Sequence, residues 1–127
     1  MARFFWICLG GAAGTGARYL LSGWVLSIAG PAFPWGTLAI NASGSFLLGV
    51  LMQVALTTRI LHPTLRLALS AGVLGGFTTY STFNYETIAY LRDRAWVYGI
   101  LNIAATVLLC LAAGFAGLAA ARWAVAR

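Results

Sequence analysis

The stretch Gly75-Gly76-Phe77-Thr78-Thr79-Tyr80-Ser81-Thr82-Phe83 gathers most of the chemistry in this chain. It sets two glycines, four hydroxyls and three aromatic rings inside an apolar run from 65 to about 91. Glycine and β-branched residues are poor helix formers. Within lipid, irregular backbone survives only where protein buries it or where it lines a wet cavity. A break here frees carbonyls and amides for a polar guest, and an ion is the natural one. Freed carbonyls suit a cation such as sodium. Phe77, Tyr80 and Phe83 recur every three residues, which brings their rings near one face if the backbone is helical. Ring edges carry positive quadrupole density and suit an anion.

Other polar groups are spaced along the apolar segments. Thr37, Asn41, Ser45, Gly49 and Gln53 recur by fours on one stripe. Hydrogen bonding between helices is the common use of such a stripe. Asn41 stands out, because an amide with two donors is costly to leave unmet in a span. Tyr98, Asn102, Thr106, Cys110 and Gly114 form a second row, either a lining track or a packing seam. The hydroxyls of Ser81 and Thr82 add donors near the break. Arg18 lies about ten residues from the far end of its segment, too deep to snorkel easily. It either plugs helix ends together or belongs to an ion path. Glu86, one of only two acids, follows Phe83 by one turn. It is a functional carboxylate or the partner of Arg18 or of an arginine from a second subunit. His62 has no ligand-spaced neighbour and reads as a solvated loop residue. Cys8 and Cys110 show no CxxC spacing and read as packed thiols. No nucleophile, base or metal-ligand cluster emerges, so the residues argue against an enzyme.

These groups must be positioned by membrane helices. Of 127 residues, 61% are hydrophobic and 8% charged, against roughly 25% charged in an average soluble domain. Such a chain cannot make a polar skin. The expected architecture is an all-α membrane protein, one domain over 1–127. Its four transmembrane helices lie at about 4–28, 35–57, 65–91 and 96–120, the third broken near its middle. Gly10-x-x-x-Gly14 permits close helix approach. Gly30-Pro31-Ala32-Phe33-Pro34 reads as a turn, 59–64 as a short loop and Arg92-Asp93-Arg94 as a tight polar turn. Further membrane segments follow the first, which therefore reads as a true span and not a cleaved leader. The net charge of +6 comes from arginines scattered singly at segment ends. They read as interface anchors, with no footprint for nucleic acid. Arg3, Arg59, Arg66, Arg122 and Arg127 fall on one side, and Arg92 and Arg94 on the other. That excess favours cytoplasmic termini, by a margin small enough to leave both orientations open.

Four motifs then fall in order. They are Gly-Gly-Ala-Ala-Gly-Thr-Gly-Ala-Arg at 10–18, Pro-Trp-Gly-Thr-Leu-Ala-Ile-Asn at 34–41, Gly-Ser-Phe-Leu-Leu-Gly at 44–49 and Gly-Gly-Phe-Thr-Thr-Tyr-Ser-Thr-Phe at 75–83, followed by Glu86. With these the chain resembles the CrcB/Fluc fluoride channels along nearly its whole length. The resemblance implies an antiparallel, dual-topology homodimer with two narrow pores in a cell inner or plasma membrane. Such proteins let fluoride leave passively and so protect the cytoplasm. It implies a central Na⁺ on the main-chain carbonyls of Gly75 and Thr78 of both subunits. It matches Asn41 to the pore asparagine, Tyr80 and Phe83 to the pore phenylalanines, and Asn102, Thr106 and Cys110 to a polar track. Tyr80 stands where the family usually has Phe, and Cys110 where it often has a hydroxyl. The alternatives are a proton-coupled small multidrug exporter, which needs a midplane carboxylate, and a non-transporting scaffold.

Overall fold

Two extended residues interrupt the helical path in the third quarter of the chain. Thr78 (φ −78°, ψ 158°) and Thr79 (φ −149°, ψ 112°) separate a short helical turn from the helix that follows. The computed structural model describes residues 1–58 and 61–126. These form α1 (Ala2–Ala29), α2 (Trp35–Thr57), α3 (Pro63–Leu67), a π-helical stretch (Ala68–Leu74), α4 (Gly75–Phe77), α5 (Tyr80–Arg92) and α6 (Trp96–Val125). No strand occurs among the described residues. Arg59 and Arg127, which the charge count used, lie outside them.

Local chemistry sets the helix ends. Gly30 (φ +73°) closes α1 in a backbone state that a side chain resists. Pro63 opens α3 at its first turn, where proline lacks no needed N–H, and His62 Nδ1 accepts from the Thr64 N–H at 3.3 Å. Of the expected 59–64 loop, 59 and 60 lie outside the described residues, Pro63 and Thr64 belong to α3, and His62 serves as its cap. Thr79 caps α5, its Oγ1 accepting from the Thr82 N–H at 3.2 Å. At the other end of α5, Arg94 N–H donates to Leu91 O at 3.2 Å and Ala95 N–H to Tyr90 O at 2.8 Å. That is a Schellman turn with arginine in the left-handed position (φ 60°) usually held by glycine.

Two packed pairs make up the body. α2 lies along α6, and α1 lies along the π-helical stretch and α4. Both contacts are backbone-close. A Cβ on Gly14 would strike the Val73 carbonyl, and one on Gly49 would come within 2.5 Å of the Gly114 carbonyl. The Gly10-x-x-x-Gly14 face therefore receives the π-helical stretch. Gly75 and Gly76 do not make the break, as their composition had suggested. They belong to a helical turn, and Gly76 lets it press on the Gly11 carbonyl, 2.5 Å from where a Cβ would lie.

The interior is more polar than the exterior. Among the described residues, the buried apolar side chains are Leu38, Ile40, Leu74, Phe83 and Ala121. The buried polar ones are Thr37, Asn41, Gln53, Thr79, Thr87, Asn102 and Thr106. The apolar surface of α6 faces outward: only 11% of its most hydrophobic window is buried within the chain. α2 and α6 are each long and apolar enough to cross a bilayer. A water-soluble fold would invert this distribution.

Candidate functional site

Asn41 holds the break open. Its Nδ2 donates to the Thr79 carbonyl at 3.0 Å, and its Oδ1 accepts from the Thr79 N–H at 2.8 Å. Thr79 lies extended between the two helical pieces, and the amide of Asn41 pairs with both its N–H and its carbonyl as a substitute peptide. Both residues are buried, where an unmet backbone group would cost about 1–3 kcal/mol. Gly44, one turn along α2, gives this approach its room, since a Cβ there would strike the Thr78 methyl and lie 3.3 Å from the Phe77 ring. An amide has two N–H donors, so one remains after the bond to Thr79.

Beside this joint lies a groove of about 520 Å³. Asn41, Gly75, Thr78, Tyr80, Phe83, Thr106 and Cys110 all line it, together with Ser45 and Ser70. Residues of α2, the π-helical stretch, α4, α5 and α6 meet there with the break, which brings together most of the residues singled out above. The rings of Tyr80 and Phe83 lie 5.6 Å apart at 57°. Phe83 is buried, whereas Tyr80 is 77% exposed. Thr106 Oγ1 is buried and makes no hydrogen bond. Its hydroxyl is thus uncommitted, on a residue that lines the groove. Ser45 is less available, because its Oγ donates to the Asn41 carbonyl at 2.7 Å.

Several expectations are redrawn. Phe77 does not join the other two rings on the groove, because extended Thr78 and Thr79 break the three-residue rhythm. Ser81 and Thr82 are exposed and absent from the lining, and their hydroxyls cluster with Thr79 Oγ1 at 3.4 and 2.9 Å. Asn102 also stands off the groove. It is 1% exposed, and its Nδ2 donates to Thr87 Oγ1 at 2.9 Å. Arg18 and Glu86 do not pair within the chain. Arg18 donates to the Thr78 carbonyl at 3.3 Å, and Glu86 Oε1 accepts from Thr37 Oγ1 at 2.7 Å. Arg18 thus ties α1 to the break, as a plug would. Glu86 Oε2 is buried without a partner. The ion pair found among the described residues is Arg92–Asp93 at 2.8 Å. The adjacent guanidinium holds the Asp93 carboxyl below the usual carboxylate range.

Thr79 and Thr87 are buried, hydrogen-bonded residues beside the site that the reading of residue spacing missed. Thr79 was hidden in a run of hydroxyls. Thr87 had a readable signal: it follows Phe83 by four residues, where a threonine hydroxyl can return to the carbonyl one turn back.

The match to known proteins covers the same ground. The family model described as CrcB-like protein, Camphor Resistance (CrcB) matches residues 5–118. The chain belongs to the CrcB family. It is 57% identical over 122 residues to a "Fluoride-specific ion channel FluC" of Sorangium cellulosum (strain So ce56), covering 96% of each chain. A relative with the same name from Anaeromyxobacter dehalogenans (strain 2CP-1 / ATCC BAA-258) is 54% identical, over 97% of this chain and 98% of its own. One from Geobacter sulfurreducens is 51% identical, over 96% and 98%. These CrcB relatives are named ion channels, so the family's work is transport and not catalysis. Membership and outward apolar helices together make this a membrane protein.

Proposed function

We propose that this CrcB protein is a fluoride-selective channel through which fluoride leaves the cell passively, limiting its toxicity in the cytoplasm. The observation that carries the reading is the groove, where Thr106 presents a buried hydroxyl with no protein partner beside Phe83 and Asn41. The names of the relatives support the choice of ion.

A small anion entering such a groove must exchange water for donors. The Thr106 hydroxyl, the second N–H of Asn41 and the Cys110 thiol offer protons, and the edges of Tyr80 and Phe83 offer positive quadrupole density. None of these groups carries a full charge, which suits conduction, since a conducting site must release what it binds. Tyr80 brings a hydroxyl to a position the family usually fills with Phe. Arg18, Thr37 and Glu86 belong to the approaches and the supports of the path, not to its narrow part.

In this reading the four apolar stretches cross the cell inner or plasma membrane as four spans of one domain. The π-helical stretch, α4 and α5 are the halves of one interrupted span. The groove is completed by a second copy in antiparallel orientation, which covers the exposed ring of Tyr80, while lipid covers the outer faces of α6. A sodium ion fits the joint. The Thr79 N–H is committed to Asn41, so the Gly75 carbonyl lacks the helical donor four residues on. The Thr78 carbonyl accepts from Arg18 and keeps a second lone pair. Gly75 and Thr78 would hold the ion through those oxygens, and bound sodium supplies fixed positive charge to the centre of the dimer. The test is fluoride-electrode recording on proteoliposomes. Wild-type protein discharges a fluoride gradient, and Phe83→Ile abolishes the discharge. Unchanged flux through Phe83→Ile would contradict the assignment.

A further inference from the structure

We propose that Thr87 and Asn102 form a relay that positions Phe83, and that Asn102 acts through Thr87 and not on the passing ion. The relay has two links. Asn102 Nδ2 donates to Thr87 Oγ1 at 2.9 Å, and Thr87 Oγ1 donates to the Phe83 carbonyl at 2.8 Å. One hydroxyl thus accepts from α6 and donates to the first turn of α5. All three residues are buried, at 1%, 6% and 8% exposure for Asn102, Thr87 and Phe83. Phe83 lines the groove; Thr87 and Asn102 do not.

α5 begins at Tyr80, directly after two extended residues, so Phe83 lies in a first turn that cannot lean on α4. Thr79 caps that turn from its N-terminal side. The relay restrains it from the opposite side by tying the Phe83 carbonyl to α6, which also carries Thr106 and Cys110. It therefore sets the distance between the ring and the polar side chains across the groove. A threonine hydroxyl bonded to the carbonyl one turn back also bends its helix slightly, which orients the Phe83 turn. The inference rests on the channel reading for its consequence, but the relay itself can be observed without any flux.

Phe83-Asn84 is the one Phe-Asn pair in the sequence. Protein labelled with ¹³C-carbonyl phenylalanine and ¹⁵N-asparagine therefore gives a single carbonyl–nitrogen cross-peak there. In Thr87→Val, which keeps the shape and removes the hydroxyl, the Phe83 carbonyl peak moves upfield. In Thr87→Ser it stays near its wild-type position. In proteoliposomes, fluoride efflux through Thr87→Val falls roughly tenfold or more, and Thr87→Ser restores it to within about twofold. Asn102→Leu matches Thr87→Val, and the double variant is no slower than either single one, since all three break the same relay. An unmoved carbonyl peak in Thr87→Val overturns the relay. A moved peak with wild-type efflux in Thr87→Val overturns its role in positioning. So does a double variant whose loss is the product of the two single losses, which would put Asn102 on the ion itself. If wild-type protein passes no fluoride while the peak still moves, the channel reading fails and the relay stands.

Discussion

Asn41 and Thr106 share one groove and use their polar groups in opposite ways. Asn41 spends half its amide on the backbone of Thr79, so it supports the break before it can meet an ion. Asn41→Leu strands a buried N–H and carbonyl and should cost about 1–3 kcal/mol for each group left unmet. Thermal unfolding in detergent would register the loss, and fluoride efflux should vanish with it. Thr106 has no such duty, because its hydroxyl bonds to nothing in the chain. Thr106→Val should leave the unfolding midpoint unchanged or slightly raised, while efflux falls. A matching loss of stability would show that the hydroxyl is structural. Residue types and spacing were enough to single out Asn41, Tyr80, Phe83, Thr106 and Cys110, which do converge. They could not reveal which distant partners Thr79 and Thr87 reach. Those two act through hydrogen bonds to residues 38 and 15 positions away in the chain, and periodicity carries no such distance information.

Helix boundaries were legible where capping chemistry is strong and illegible where packing decides. The Gly30-Pro31 end of α1 and the Arg92-Asp93-Arg94 reversal could be read from composition. The π-helical stretch could not, since its widening meets the glycine face of α1 through contacts made only in the fold. Gly14→Ala would drive a methyl into the Val73 carbonyl and should destabilise by roughly 1–3 kcal/mol. Gly16, two residues on, has nothing within 4 Å of a new Cβ. Gly16→Ala should therefore leave unfolding unchanged or slightly later. Comparing the two by denaturant titration separates packing at α1 from helix propensity. At the α5–α6 reversal, Arg94→Gly relieves a left-handed arginine, worth about 1 kcal/mol. The native chain accepts this strain and keeps a positive charge at that end.

Over the whole molecule, polar side chains turn inward and apolar ones outward, so the bilayer stands where water would for a soluble domain. Arg3, Arg66 and Arg122 lie at one end, with Arg92, Asp93 and Arg94 at the other. Asp93 stays ionised beside Arg92, but orientation follows the arginines, and under the proposed dual insertion Arg92 and Arg94 offset part of the excess at the other end. Replacing Arg92 and Arg94 together with alanine should bias the termini to the cytoplasm, as read by C-terminal reporters active on either side of the membrane. In the proposed function the groove passes fluoride by meeting it with uncharged donors and ring edges. This is tested most directly by loading proteoliposomes with fluoride and chloride and following both with ion-selective electrodes. Fluoride should be discharged with chloride retained. Equal release of both ions, or retention of both, would contradict it.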